Sequence, residues 1–182
     1  MLFMGDNVKL TLKFWKIFGF VFSSVSGVLL HFLFDWTKGS ILVAPFSGVN
    51  ESIWEHMKLL FFPLLIFAFT QNKFIGNNYK SFWWIKLVGI MSGLLIIPTL
   101  YYLYTGVFGV NADWFNIIIF FIAAFFAFCI EQLLFKSQFL IYKSDKIALI
   151  LLIIIALLFI IFTFIQPKIP LFMDMSTGKY GI

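Results

Sequence analysis

The sequence predicts an all-α integral membrane protein, a bundle of five transmembrane helices with its N-terminus inside and its C-terminus outside. Three observations carry that prediction. Of 182 residues, 62% are hydrophobic and only 12% charged, with a mean hydropathy of +1.02; a soluble domain of this size leaves too much surface in water to hide so much apolar area. The apolar residues gather into runs of about 20, the length of helix that crosses a hydrocarbon core of roughly 30 Å. The lysines fall mostly on one side of the membrane that these runs define.

The spans follow in order: Phe14–Phe34, Glu51–Thr70, Phe82–Tyr104, Trp114–Phe135 and Ile147–Ile165, all within one domain over residues 1–182. The first follows Lys9, Lys13 and Lys16 like a signal peptide, but it continues through Leu29 to Phe34, beyond an h-region of about 7–15 residues, and so reads as a span. Turn-like or polar segments separate the spans at 35–50, 71–81, 105–113 and 136–146, and Pro167 and Pro170 end the last. Pro63 and Pro98 should bend spans two and three. Gly89 and Gly93 form a G-x-x-x-G that lets another helix approach span three. Span five, almost purely Ile, Leu, Phe and Ala, reads as lipid-facing with no chemistry on it.

Orientation follows from lysine, which supplies all 13 basic residues. With the N-terminus inside, Lys9, Lys13, Lys16, Lys73, Lys80, Lys86, Lys136, Lys143 and Lys146 are cytoplasmic. Lys38, Lys168 and Lys179 are outside, and Lys58 lies within span two. Trp83 and Trp84 flank the inner end of span three, and Tyr101, Tyr102 and Tyr104 its outer end. A multi-pass protein of the cell membrane is the expectation, with the lipid bilayer as its first partner and a protein partner or a second copy as a further one. No clustered basic face points to nucleic acid. The lone Cys129 excludes a disulfide within the chain and a paired-cysteine redox motif.

This topology gathers most polar chemistry on the outer face. His31 and Asp35 are four apart on span one and project from the same side. At the start of span two, Asn50, Glu51, Ser52, Glu55, His56 and Lys58 follow closely, with Glu51, Glu55 and Lys58 on one strip and Ser52 and His56 beside it. Asn50 or Ser47 would cap that helix. Polar groups on one side of a span must meet water, one another or a partner. The candidate cluster is therefore His31, Asp35, Asn50, Glu51, Ser52, Glu55, His56, Lys58 and Asp174. The apolar loop segment Ile41–Phe46 dips into the leaflet or lids the cluster, and the tail folds back so that Asp174 or Tyr180 touches it. Glu131 is either a buried acid on a transport path or, the favoured reading, a side chain reaching towards Lys136.

Three functions fit. A binding or accessory membrane protein would use the cluster to dock a ligand or partner, held by a polar network with a Glu55–Lys58 pair. A membrane-embedded hydrolase acting on a lipid-like substrate would hold a divalent metal such as zinc on His31, Asp35 and His56, with Glu51 or Glu55 as general base. No H-E-x-x-H is present to sharpen that reading. A small transporter or channel would run a polar path through Glu55, Lys58 and Glu131.

Three segments also carry a family likeness: His31-Phe-Leu-Phe-Asp35-Trp36, Val49-Asn-Glu-Ser-Ile-Trp-Glu-His56 on to Lys58, and the Ile169–Asp174 tail continuing through Thr177–Gly181, with Tyr102–Gly106 alongside. Over most of its length the chain resembles an uncharacterised domain-of-unknown-function family of small bacterial polytopic membrane proteins, in which the position of Asp35 is often acidic. The resemblance implies a bacterial cell-membrane protein of this topology and brings no activity with it.

Overall fold

The computed structural model describes residues 6–137 and 144–182, with side chains from Thr11 onward. Five helices follow one another: α1 (Asp6–Trp36), α2 (Ile53–Ile75), α3 (Phe82–Phe108), α4 (Asp113–Ser137) and α5 (Asp145–Phe164), with short 3-10 turns at Gly76–Asn78 and Pro170–Phe172. No strand occurs among the described residues. Each helix carries a segment long and apolar enough to cross a membrane. Lys9 and Lys143 lie outside the described side chains. The end of α1, the start of α2, the end of α3, the start of α4 and the end of α5 share one end of the bundle, called here the His31 end.

α1 begins at Asp6, ahead of the apolar run that starts at Phe14, because a helix can continue past the hydrocarbon on polar residues such as Lys9 and Lys13. α2 begins two residues later than the predicted span, and Ser52, not Asn50 or Ser47, is its cap: Ser52 Oγ accepts from Glu55 N at 3.3 Å. Asn50 Oδ1 instead accepts from Ser52 N, and Ser47 Oγ donates to the Val43 carbonyl. α2 and α3 run through Pro63 and Pro98 without interruption.

α2 is the central helix. Some 67% of its spanning window is buried, against 22% for α1 and for α5, so the outer helices turn Phe14, Val21, Val25, Ile150 and Ile154 outward, a contiguous apolar surface that suits lipid rather than water. The G-x-x-x-G of α3 is a close helix contact. A Cβ on Gly89 would stand 2.3 Å from Glu131 Cγ, and one on Gly93 would stand 3.0 Å from the Ala123 carbonyl oxygen. α4 answers with Ala123, Ala124 and Ala127, all fully buried, so small residues face small residues.

At the end opposite His31, Glu131 corrects the sequence reading. It does not reach towards Lys136, which is exposed. It is 1% exposed and its Oε2 accepts from both Lys16 Nζ and Lys86 Nζ, the latter at 2.7 Å. Between this triad and Glu55, α2 and α3 are filled by Leu60, Phe61, Leu64, Phe67, Ile90 and Leu94, none more than 2% exposed. That apolar layer separates Glu55 and Lys58 from Glu131 along α2 and α3, and it argues against a polar path joining them there.

α5 carries more than apolar surface. Asp145 Oδ1 accepts from Trp83 N at 3.0 Å and the Ser144 carbonyl from Trp84 Nε1 at 2.7 Å, pinning the start of α5 to α3. Thr163, fully buried near its other end, accepts from Lys58 Nζ.

Candidate metal centre at the His31 end

The loop from α1 to α2 positions the site. α1 stops where Lys38 and Gly39 adopt left-handed φ of 53° and 74°, with Gly39 N bonding back to the Phe34 carbonyl. A turn over 40–47 follows, and Gly48 N then donates to the Leu30 carbonyl, laying the loop against α1. From there Val49 N donates to Glu55 Oε2 at 3.1 Å, so the loop is also tied to the first turn of α2.

Glu55 and Lys58 form the predicted pair, at 2.5 Å and with both side chains fully buried. Lys58 uses its remaining two donors on the Ala44 carbonyl and Thr163 Oγ1, both at 2.9 Å. One ammonium thus fastens the loop, α2 and α5 together. Neither Glu55 nor Lys58 lines the cavities described below, so this pair organises the site without facing it.

The groups that do face one another are His31, Glu51 and His56. Each offers one ligand atom, and all of these lie within 4.8 Å of one another. Glu51, in the loop just before α2 and exposed, sits between the rings: its Oε1 is 3.7 Å from His31 Nε2 and its Oε2 is 3.6 Å from His56 Nε2. Two donors held about 2.1 Å from one tetrahedral ion stand roughly 3.4 Å apart, close to the Glu51 distances, and the set as a whole, spread over as much as 4.8 Å, must draw in to hold an ion. His56 Nδ1 lies 2.8 Å from the Ser52 carbonyl. A carbonyl only accepts, which puts the proton on Nδ1 and leaves the Nε2 lone pair facing Glu51. A backbone partner on the far nitrogen is the usual support of a metal-binding imidazole.

Asp35 is not among the three. It is exposed at the last turn of α1, a turn beyond His31, where its carbonyl accepts from Lys38 N. The i, i+4 spacing places it on the same side of the helix, but the convergence comes from the loop, which brings Glu51 in instead.

A cavity of about 480 Å³ opens beside these three groups. Its polar end is made by His31, Glu51, His56, Asp113, Asn116 and Ser176, and its wall by Val28, Phe32, Leu59, Ile117, Phe120 and Phe121, over Gly27. A separate void of about 20 Å³ lies behind Glu51 and His56, bounded also by Tyr101, Asn116 and Ile119, and has room for one water molecule. Asn116 is held by Tyr104 Oη, 2.7 Å from its Oδ1, and donates from Nδ2 to Asn111 Oδ1 at 2.9 Å. The sequence reading left Asp113 and Asn116 out of the cluster; three apart in the first turn of α4, they carried a signal that could have found them.

The tail folds back, and the hydrogen bonds that anchor it run through the main chain of Gly181. Asn50 Nδ2 donates to the Gly181 carbonyl at 2.9 Å, Gly181 N donates to Gln166 Oε1 at 2.7 Å, and Phe172 lies 4.7 Å from the Trp54 ring. Asp174 closes its own turn, accepting from Ser176 N and Oγ and from Thr177 N. Burial works against its charged form, but those bonds outweigh it and hold the carboxyl below the usual aspartate range. That support for the tail is therefore present above the ordinary pKa and is lost as pH falls through the depressed one. The turn presents Ser176 to the cavity, and Tyr180 points outward, 36% exposed.

A model of a family of unknown function, DUF6512, matches residues 4–182, and the chain belongs to that family. No curated protein and no solved structure matches it.

Proposed function

We propose that this member of a family without an assigned activity is a metal-binding protein of the bacterial cell membrane. His31, Glu51 and His56 hold one divalent ion at the outer face, with a coordination position left for a ligand. The observation that carries the reading is the convergence of two imidazoles and one carboxylate with His56 already oriented by the Ser52 carbonyl. Two nitrogens and one oxygen suit zinc better than magnesium or calcium, which prefer all-oxygen shells. Three protein ligands leave a tetrahedral site open. The lysine distribution supports a cytoplasmic N-terminus, which puts the His31 end outside.

A second reading, a metal-dependent hydrolase, is favoured by one feature: the water-sized void bounded by Glu51 and His56. In that reading Glu51 serves as a ligand rather than as the general base, and Glu55, buried against Lys58, is not the base either.

Equilibrium dialysis of the detergent-purified protein against zinc, with magnesium and calcium in excess, tests the proposal. One zinc per chain is expected. His31→Ala and His56→Ala should each weaken binding by at least about 100-fold, beyond what losing a supporting group costs. Sub-stoichiometric zinc in the parent protein, or unchanged affinity in both variants, rules the metal centre out.

A further inference from the structure

We infer that the cavity beside the metal centre takes an uncharged, oxygen-headed single-chain lipid, of the monoacylglycerol kind, that reaches it sideways from the bilayer. This rests on the metal reading above and extends it to the ligand.

The shape is amphipathic. One end collects the metal ligands with Asp113, Asn116 and Ser176; the rest is aliphatic and aromatic. Its volume of about 480 Å³ lies within the usual range for enclosing a small organic ligand. From Asp113 to Phe121 the wall follows two turns of α4, about 12 Å at the rise of an α-helix, so a chain rather than a compact ring fills it. Gly27 sets the floor: a Cβ there would meet Phe120 Cζ at 2.4 Å, which shows how closely α1 and α4 approach below the opening.

The opening faces lipid. Val28 and Phe32 on α1 and Ile117 and Phe121 on α4 line the cavity yet are 37–57% exposed. They continue into the apolar outer faces of both helices through Val25 and Phe125. A ligand dissolved in the membrane meets this groove without crossing water, and the tail turn bearing Ser176 bounds the polar end.

Charge selects the head group. A divalent ion brings two positive charges, and the Glu51 and Asp113 carboxylates return two negative ones; no lysine lines the cavity. The polar end is then neutral, and an anionic head would add an unbalanced charge beside a low-dielectric wall. A hydroxyl or ester oxygen fits instead. It can fill the open position on the ion while a hydroxyl proton is donated to Asp113, and the Asn116 amide and Ser176 hydroxyl remain for a second oxygen.

The test uses the zinc-loaded protein in phosphatidylcholine nanodiscs and two photoactivatable probes with the same diazirine-bearing chain, a monoacylglycerol and the free fatty acid. Bound zinc is measured in the same samples. Zinc-dependent labelling by the monoacylglycerol is expected within residues 27–32 and 113–121, at least tenfold above the fatty acid. Val28→Trp on one wall and Ile117→Trp on the other should each reduce it at least tenfold per bound zinc. Equal or stronger labelling by the fatty acid, labelling spread evenly over α1, α4 and α5, or indifference to both substitutions overturns the inference while leaving the metal centre standing. Absence of bound zinc overturns both, and the metal measurement identifies that case.

Discussion

Glu131→Gln is expected to destabilise the bundle by about 3–5 kcal/mol, the cost of leaving buried charge without its partner. Two ammonium groups share one carboxylate oxygen, and none of the three side chains is more than 5% exposed. Phe135 lies 4.5 Å from Lys16 Nζ and Phe67 lies 5.4 Å from Lys86 Nζ. Those ring faces offer some attraction, but among the described residues no other carboxylate pairs with Lys16 or Lys86. Lys16→Met should be far milder, because it leaves Lys86 and Glu131 paired one to one. Unfolding of the purified protein in a denaturing-detergent titration reads both. A Glu131→Gln protein as stable as the parent, or one milder than Lys16→Met, contradicts this account of the triad.

Lys58→Met should cost a similar amount at the other end. It strands the Glu55 carboxylate, fully buried, with the Val49 amide as its one remaining donor among the described residues, and releases the Ala44 carbonyl and Thr163. Exchanging both members, Glu55→Leu with Lys58→Met, should recover at least half of the loss, since a buried pair removed together leaves no orphan charge. The double variant also frees Val49 from Glu55, loosening the loop that carries Glu51. Its zinc affinity should therefore fall even where its stability returns. Recovery of both properties would separate the ion pair from the site; recovery of neither would show that the bonds to Val49, Ala44 and Thr163 hold this end together more than the pairing of charges does.

The spans were legible because hydropathy needs no partner: α3 was expected over 82–104 and runs Phe82–Phe108. The ends were less so. An apolar run marks hydrocarbon, not helix, which is why α1 starts at Asp6, and three candidate oxygens at Ser47, Asn50 and Ser52 compete for one cap. Glu55 and Lys58 could be paired from spacing, being one helical turn apart. Glu131 could not be matched to Lys16, 115 residues away, because charge does not say which partner it meets. The candidate site behaved likewise. His31, Glu51 and His56 stood out as polar groups near one membrane face, while the exchange of Asp35 for Glu51 depends on how the loop lies against Leu30. The tail was expected to return, and its apolar Phe172 does. The contacts at Gly181 are made by main chain, which residue type does not reveal.

The measurement that bears most directly on the metal centre is X-ray absorption at the zinc edge of the loaded protein. Two imidazole nitrogens and carboxylate oxygen at about 2.0–2.1 Å are expected, with one imidazole lost in His31→Ala and one in His56→Ala. A shell of oxygens alone, or an imidazole count that neither substitution changes, would mean that His31, Glu51 and His56 do not bind the ion together.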